Sequence, residues 1–182
     1  MSVGKGVKIY IVGCAKTGTT LLQRLFCAFD VDVVFGEIPL GELVKRHSDR
    51  VLVAKRTWNQ LMSNVLAEPQ VQHFVRRIKK HNIRLVYMRR NKVDTLKSTN
   101  GYVSKERYNA CQDQYEQHKS MVDYTAEYER LIKEPNIVQS EIAYVFDLKS
   151  LHKFSDYPAF VPEDQISKKD GAYKLRKIGE GY

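Results

Sequence analysis

The stretch "IVGCAKTGTTLLQRLF" (residues 11–26) passes from an apolar segment into a loop rich in glycine and threonine, and then into an amphipathic segment. A loop of this kind between a strand and a helix points backbone N–H groups and the positive end of the helix dipole at an anion. In the common nucleotide-binding pattern G-x-x-x-x-G-K-[ST], a lysine follows the second glycine. Here Thr19 takes that position, and the lysine is Lys16, three residues after Gly13. The loop therefore predicts an anion site in which the lysine lies within the loop and not after its second glycine.

Short apolar runs, rich in β-branched and aromatic residues, recur along the chain, and stretches of helical period follow them. The predicted strands are 7–13, 31–36, 50–55, 83–89 and, less regularly, 121–128. Such alternation is typical of a parallel sheet covered by helices on both faces. We therefore expect an α/β fold: a three-layer sandwich with a central, mostly parallel sheet and a P-loop-type strand-loop-helix at the N-terminus.

Length and composition favour a single domain. The chain has 182 residues, of which 43% are apolar, enough for one ordinary core. We expect one domain over 1–182, with a flexible basic tail over 165–182. The sequence shows neither the apolar segment of a signal peptide nor a run of eighteen apolar residues, so we expect a cytoplasmic protein that does not contact membranes. Three cysteines without C-x-x-C spacing are expected to be free thiols: Cys14, Cys27 and Cys111.

The positive charge is concentrated in one segment. The net charge is +9, and residues 76–97 hold nine Lys or Arg against one Asp. On charge alone, a solvated helix face and a nucleic-acid-binding stripe both fit this segment. A focused positive field also attracts small anionic ligands.

The chemistry of the loop argues for an anion that is bound without a metal. The anion would be surrounded by backbone amides and hydroxyls of Thr17, Gly18, Thr19 and Thr20. A magnesium nucleoside triphosphate normally also needs an aspartate at the end of a neighbouring strand. The candidate strands end instead in Lys55 and in Arg89-Arg90, which would repel Mg²⁺.

Two motifs in order along the chain resemble those of the sulfotransferases that use 3′-phosphoadenosine 5′-phosphosulfate (PAPS). "CAKTGTTLL" (14–22) is similar to their 5′-phosphosulfate loop, in which the lysine lies within K-x-G-T-T. "VYMRRNKVDTLKS" (86–98) is similar to the strand that leads into R-N-x-x-D-x-x-x-S. A third segment, "YTAEYERLIKEP" (124–135), is similar to the Y-E-x-L segment that often follows.

The resemblance implies a set of donor-binding residues. The 5′ end would lie in the loop Ala15, Lys16, Thr17, Gly18, Thr19 and Thr20. Arg90 and Ser98 would bind the 3′-phosphate, and Asp94 is expected to cap the helix that carries Ser98. Lys16 would neutralise charge on the bridging oxygen of the leaving phosphate, with adenosine 3′,5′-bisphosphate (PAP) as product. A sulfuryl group carries less charge than a phosphoryl group, so we expect no metal.

Transfer to a hydroxyl also needs a base. Family members that act on phenols and steroids place a histidine in a K-T-H segment after the third strand. In "AKRTW" (54–58), Lys55 matches that lysine, but Thr57 stands where the histidine would be. Other branches use a glutamate after the second strand, where "VVFGEIPLGEL" (33–43) has Glu37. We expect Glu37 to be the base and Lys55 to be catalytic, stabilising the transferring group. The family's loop that closes on the 3′-phosphate has only a loose counterpart, "LRKIG" (175–179), which is assigned no site.

The sequence thus predicts a metal-independent sulfotransferase that moves a sulfuryl group in line from PAPS to an acceptor hydroxyl. The catalytic residues would be Lys16, Glu37 and Lys55. A divergent P-loop kinase or NTPase and a basic nucleic-acid-binding module remain the alternatives. The class of acceptor and the oligomeric state stay open.

Overall fold

The chain forms alternating strands and helices in the computed structural model, which describes residues 6–57, 68–98, 101, 103–156, 166–169 and 172–175. The strands are β1 Lys8–Gly13, β2 Asp32–Glu37, β3 Leu52–Thr57, β4 Ile83–Arg89, β5 Tyr124–Glu127, β6 Ile166–Lys169 and β7 Ala172–Leu175. The α-helices are α1 Thr19–Phe26, α2 Leu40–Lys45, α3 Glu68–Lys80, α4 Lys92–Ser98, α5 Lys105–His118, α6 Tyr128–Lys133 and α7 Pro135–Phe146.

These strands build one seven-stranded sheet in the order β5-β4-β1-β3-β2-β7-β6. The pairs β1–β3, β1–β4, β2–β3 and β4–β5 are parallel, whereas β7 runs antiparallel to both β2 and β6. All six residues of β1 are buried, as expected for a central strand covered on both faces. The predicted α/β sandwich with a mostly parallel sheet is confirmed.

Two apolar cores lie on the two faces of the sheet, because successive side chains of a strand point to opposite sides. On one face, Tyr10 and Val12 of β1 belong to the core that also contains Leu43, Phe74 and Tyr115 from α2, α3 and α5. On the other face, Ile9 and Ile11 belong to the core built with α1, α6 and α7. The apolar residues of α1 and of the turn after it are buried in this second core: Leu21, Leu22, Leu25, Phe26 and Phe29.

The observed elements agree closely with the predicted ones in the N-terminal half of the chain. Ser104 caps α5, since its hydroxyl accepts a hydrogen bond from the backbone N–H of Arg107. The fifth strand is shorter than 121–128, because a 3₁₀ turn occupies Lys119–Met121. The three cysteines are buried thiols that form no disulfide with one another. No helix in the described ranges has the length and apolar character needed to cross a membrane.

Two strands within the basic tail were not predicted. The antiparallel pairing of Val33 with Tyr173 directs β7 toward the start of β2. Leu175 therefore lies at the end of the sheet opposite to Glu37, which is the last residue of β2. Since "LRKIG" begins at Leu175, the described part of this segment lies far from the end of β2, and residues 176–179 fall outside the described ranges.

Candidate anion-binding site at the end of the parallel strands

The candidate site lies where β1 ends. Gly13, the last residue of β1, is paired with Thr57 of β3 on one side and with Met88 of β4 on the other. Neighbouring strands are about 4.8 Å apart, so the segments after β3 and β4 flank the loop after β1. A Cβ atom on Gly13 would lie 2.6 Å from the carbonyl oxygen of Met88, so the close approach of the strands requires glycine here.

The loop itself has a constrained backbone. Lys16 has a φ of 65° and Gly18 a φ of 98°. The left-handed conformation is uncommon for a lysine and persists only when surrounding contacts hold it. Thr17 is fully buried; its hydroxyl donates to the carbonyl of Cys14 at 2.7 Å, and its backbone N–H donates to the same oxygen at 3.3 Å. Thr17 thus shapes the loop, while Lys16 and Thr20 are exposed.

The N-terminus of α1 faces this loop without a side-chain cap. Gly18 is the N-cap residue and has no side chain to accept a hydrogen bond from the first turn, and that turn contains no acidic residue. The first N–H groups of a helix have no partner within the helix, so they are suited to an anion. Ala15, Thr17 and Thr19 are buried around this helix end.

Tyr128, the first residue of α6, packs against the loop. A Cβ atom on Gly18 would lie 2.6 Å from Cδ2 of Tyr128 and 3.0 Å from Cε of Met88. The aromatic ring therefore occupies the space that any larger residue at position 18 would need. The Y-E-x-L segment is visible in the sequence, but its pattern assigns Tyr128 no role in the site.

Arg90 lies beside the same ring. Its Cζ atom is 4.2 Å from the centroid of the Tyr128 ring, and Nη1 donates to the carbonyl of Lys16 at 3.3 Å. Nε is buried and has no hydrogen-bond partner among the described residues. A guanidinium over an aromatic face is held by a cation–π interaction and keeps its N–H donors in one plane. The arrangement leaves donor capacity for an oxyanion next to the loop.

The helix after β4 is capped by Asn91, so the prediction that Asp94 is its cap was wrong. The Asn91 Oδ1 atom accepts from the backbone N–H of Asp94 at 2.9 Å, and Asn91 precedes α4 directly. The Asp94 carboxylate accepts from the Asn91 side chain in return. Asn91 also donates from its backbone and side chain to Glu129, at 3.1 and 2.9 Å. Both positions carry residues that cap helices well, so residue type alone does not distinguish them.

Ser98 ends α4 and is exposed. Its hydroxyl donates to the carbonyl of Thr95 at 2.9 Å, one turn back along the helix. Among the contacts described for the chain, none joins Ser98 to Arg90. Its role as a ligand of the 3′-phosphate stays a prediction.

Glu37 and Lys55 meet on the other side of the loop. They are directly paired in the β2–β3 register, and Nζ of Lys55 lies 2.5 Å from Oε1 of Glu37. The backbone N–H of Thr57 donates to Oε2 at 2.8 Å. Lys55 is only 7% exposed, so the ammonium is well shielded from water. A register shift before Glu37, where Gly36 has a φ of 94°, brings the two residues together.

Buried thiols and phenols lie beneath the loop. A hydrogen bond with Cys14, together with burial, raises the pKa of the Cys111 thiol. Burial raises the pKa of Tyr87, and the pKa of Tyr10 is raised by burial as well; the Tyr10 hydroxyl donates to the carbonyl of Ile38. These groups stay protonated and uncharged at neutral pH. Within the described ranges, no cluster of three or more His, Cys, Asp or Glu side chains is arranged to hold a metal.

The fold is shared with the solved structure of a sulfotransferase. Mouse sulfotransferase SULT7A1, in complex with PAP, is 17% identical with a TM-score of 0.54; the match covers 82% of this chain and 62% of that one. Sulfotransferase STF1 from Mycobacterium tuberculosis H37Rv is 12% identical with a TM-score of 0.44, over 81% of this chain and 69% of that one. APE1195 is 12% identical with a TM-score of 0.39, over 79% and 94%.

The chain therefore has a sulfotransferase-like α/β fold, and it spans about three fifths of the length of the mouse protein that it matches. No protein-family model matches the chain, and no curated protein does.

Proposed function

We propose that the chain is a PAPS-dependent sulfotransferase that transfers a sulfuryl group to an acceptor hydroxyl without a metal. The observation that carries the proposal is the grouping of three features around Gly13. These are the loop with the left-handed Lys16, the stacked Arg90, and the pair of Glu37 with Lys55. The fold shared with a PAP-bound sulfotransferase is consistent with it.

The residues present fit the two charged ends of PAPS. The uncapped N-terminus of α1 and the ammonium of Lys16 suit the 5′-phosphosulfate. Arg90 suits the 3′-phosphate, because its planar guanidinium lies beside the loop, over the ring of Tyr128, and forms no ion pair with a carboxylate in the described part of the chain. A charge-assisted hydrogen bond from such a guanidinium contributes about 1.5–3 kcal/mol to binding.

PAPS would supply the sulfuryl group, and the side chains of the chain would handle the charges and the proton. In an in-line transfer, the acceptor oxygen forms a bond to sulfur while the bond from sulfur to the phosphate oxygen breaks. Lys16 would neutralise the charge on the departing phosphate. Glu37 would accept the proton of the acceptor hydroxyl. Lys55 and the N–H of Thr57 hold both carboxylate oxygens of Glu37 and so fix its orientation.

Isothermal titration with PAP in the presence of EDTA tests the donor site. We expect binding at micromolar concentration or tighter, and a loss of about tenfold to a hundredfold in Lys16→Ala. Lys45→Ala is the matched control. It removes the same charge, and Lys45 is an exposed lysine at the far end of α2. Absence of PAP binding to the wild-type protein, or a preference for ATP with Mg²⁺, would contradict the proposal.

Transfer of label from PAPS to a panel of phenol, sugar and peptide hydroxyls tests the catalytic step. Glu37→Gln keeps the shape of the side chain but cannot accept the proton. We expect it to retain PAP affinity and to lose about 10²–10⁴ in rate. A Glu37→Gln protein that is as active as the wild type would rule out Glu37 as the base.

A further inference from the structure

We propose that Arg90 is also a positioning residue, which holds the peptide between Lys16 and Thr17 and thereby sets the loop that carries Lys16. The consequence of this role for catalysis rests on the proposed function, whereas the effect of Arg90 on the loop does not. The inference starts from the hydrogen bond that Nη1 of Arg90 donates to the carbonyl of Lys16 at 3.3 Å.

That peptide is held at both of its polar atoms. Its oxygen, on Lys16, accepts from Arg90, and its N–H, on Thr17, donates to the carbonyl of Cys14 at 3.3 Å. The φ of 65° at Lys16 makes this peptide the strained part of the loop. A left-handed conformation of a residue other than glycine costs about 1–3 kcal/mol and needs outside contacts to be retained. Arg90 supplies such a contact from the segment that directly follows β4.

Arg90 is itself well fixed. Its backbone carbonyl accepts from the Tyr108 hydroxyl at 2.9 Å, and its guanidinium lies 4.2 Å from the centroid of the Tyr128 ring. The same ring fills the space next to Gly18, at the other end of the loop. The Lys16 peptide is therefore braced against two rigid elements, β4 with its following turn and the start of α6.

One guanidinium can perform both tasks. The bond to the Lys16 carbonyl, from Nη1, uses one of the five N–H donors of the guanidinium. A planar fork of donors can bind a phosphate and a carbonyl at once, which the single ammonium of a lysine does less well. The 3′ end of the donor and the loop that carries the candidate catalytic lysine would thus be coupled through one side chain.

Amide hydrogen exchange of the ligand-free protein, followed by NMR, isolates the positioning role. The readout is the exchange rate of the Thr17 N–H, the amide of the braced peptide. In Arg90→Ala and in Arg90→Met we expect it to be about fivefold faster than in the wild type, from the loss of one hydrogen bond. Arg90→Met keeps the apolar stem against Tyr128, so it separates loss of the guanidinium from loss of packing.

Arg89→Met is the matched control. It removes the same charge from the neighbouring position, so faster exchange that came only from the altered local field would be seen in this variant as well. The Arg89 guanidinium lies over Tyr115, with Cζ 5.1 Å from the ring centroid. Unchanged exchange at Thr17 is expected there, as are unchanged rates at the amides of β1 in all three variants, which report correct folding.

A kinetic comparison tests the coupling. With PAPS as the varied substrate, Arg90→Met should raise the KM for PAPS and also lower kcat, the rate at saturating PAPS. Loss of a residue that only binds phosphate should mainly raise KM. The positioning role is refuted if Thr17 exchanges no faster in the Arg90 variants than in Arg89→Met, even where PAP affinity is lost. Failure of the wild-type protein to bind PAP would instead overturn the proposed function and leave the exchange result intact.

Discussion

Replacing Gly18 with alanine should damage both the fold and the donor site, because the structure excludes a side chain there on two grounds. The φ of 98° places the residue in the left-handed region, which costs an L side chain about 1–2 kcal/mol. The new Cβ atom would also lie 2.6 Å from the Tyr128 ring. Overpacking of this kind adds about 1–3 kcal/mol. The free energy of unfolding should therefore fall by about 2–5 kcal/mol, and Tm by about 10 °C.

The displaced ring links this loss to the ligand. Tyr128 stacks with Arg90, so moving the ring by about 1 Å to relieve the contact disturbs the guanidinium as well. We expect PAP affinity to fall by about tenfold or more. Gly36→Ala is the matched control: its φ is 94°, but no atom of the described residues lies within 4 Å of a Cβ built there. It should show the conformational cost alone and retain PAP affinity. Equal effects of the two substitutions on stability and affinity would refute the reasoning.

Two ion pairs give further predictions. A double-mutant cycle with Lys55→Met and Glu37→Gln should give a coupling energy of about 1–2 kcal/mol in the free energy of unfolding, because Lys55 is 7% exposed; a value near zero in urea titrations would contradict the pairing. Hydrogen bonds from Arg130 and from Tyr124 lower the pKa of Glu141, so its contribution to stability is present above the ordinary carboxyl pKa of about 4.3 and is lost as the pH falls through the lowered value. Glu141→Gln should therefore lower Tm by a few degrees at neutral pH, and the difference from the wild type should shrink as the pH falls through the lowered pKa, as thermal melts over a series of acidic pH values would show; a constant difference between the proteins would argue against this origin.

The sheet and the loop were predictable because both depend on local sequence. Buried parallel strands appear as continuous apolar runs, and a glycine- and threonine-rich loop between a strand and a helix has few structural alternatives. The contact between Glu37 and Lys55 was not predicted, since it depends on the register shift at Gly36. A sequence does not show where a bulge falls.

Contacts between distant segments account for most of what was missed. Tyr128 reaches the loop only because β5 pairs with β4 at the edge of the sheet and places the start of α6 beside Arg90. The strands β6 and β7 lie in a Lys-rich segment with weak strand signals, and β7 owes its place to pairing with β2. Such pairing is a tertiary effect that can override local propensity.

The charges at the site divide into two groups that would do different work. Lys55 is paired with the carboxylate of Glu37, which balances its buried charge within the chain. Neither Lys16 nor Arg90 forms an ion pair with a carboxylate in the described part of the chain, although Arg90 is partly buried against Tyr128. Cations gathered without a local counter-charge repel one another and cost stability. An anionic ligand that neutralises Lys16 and Arg90 would recover that cost on binding. These are the two cations that the proposed donor would contact through its two charged ends.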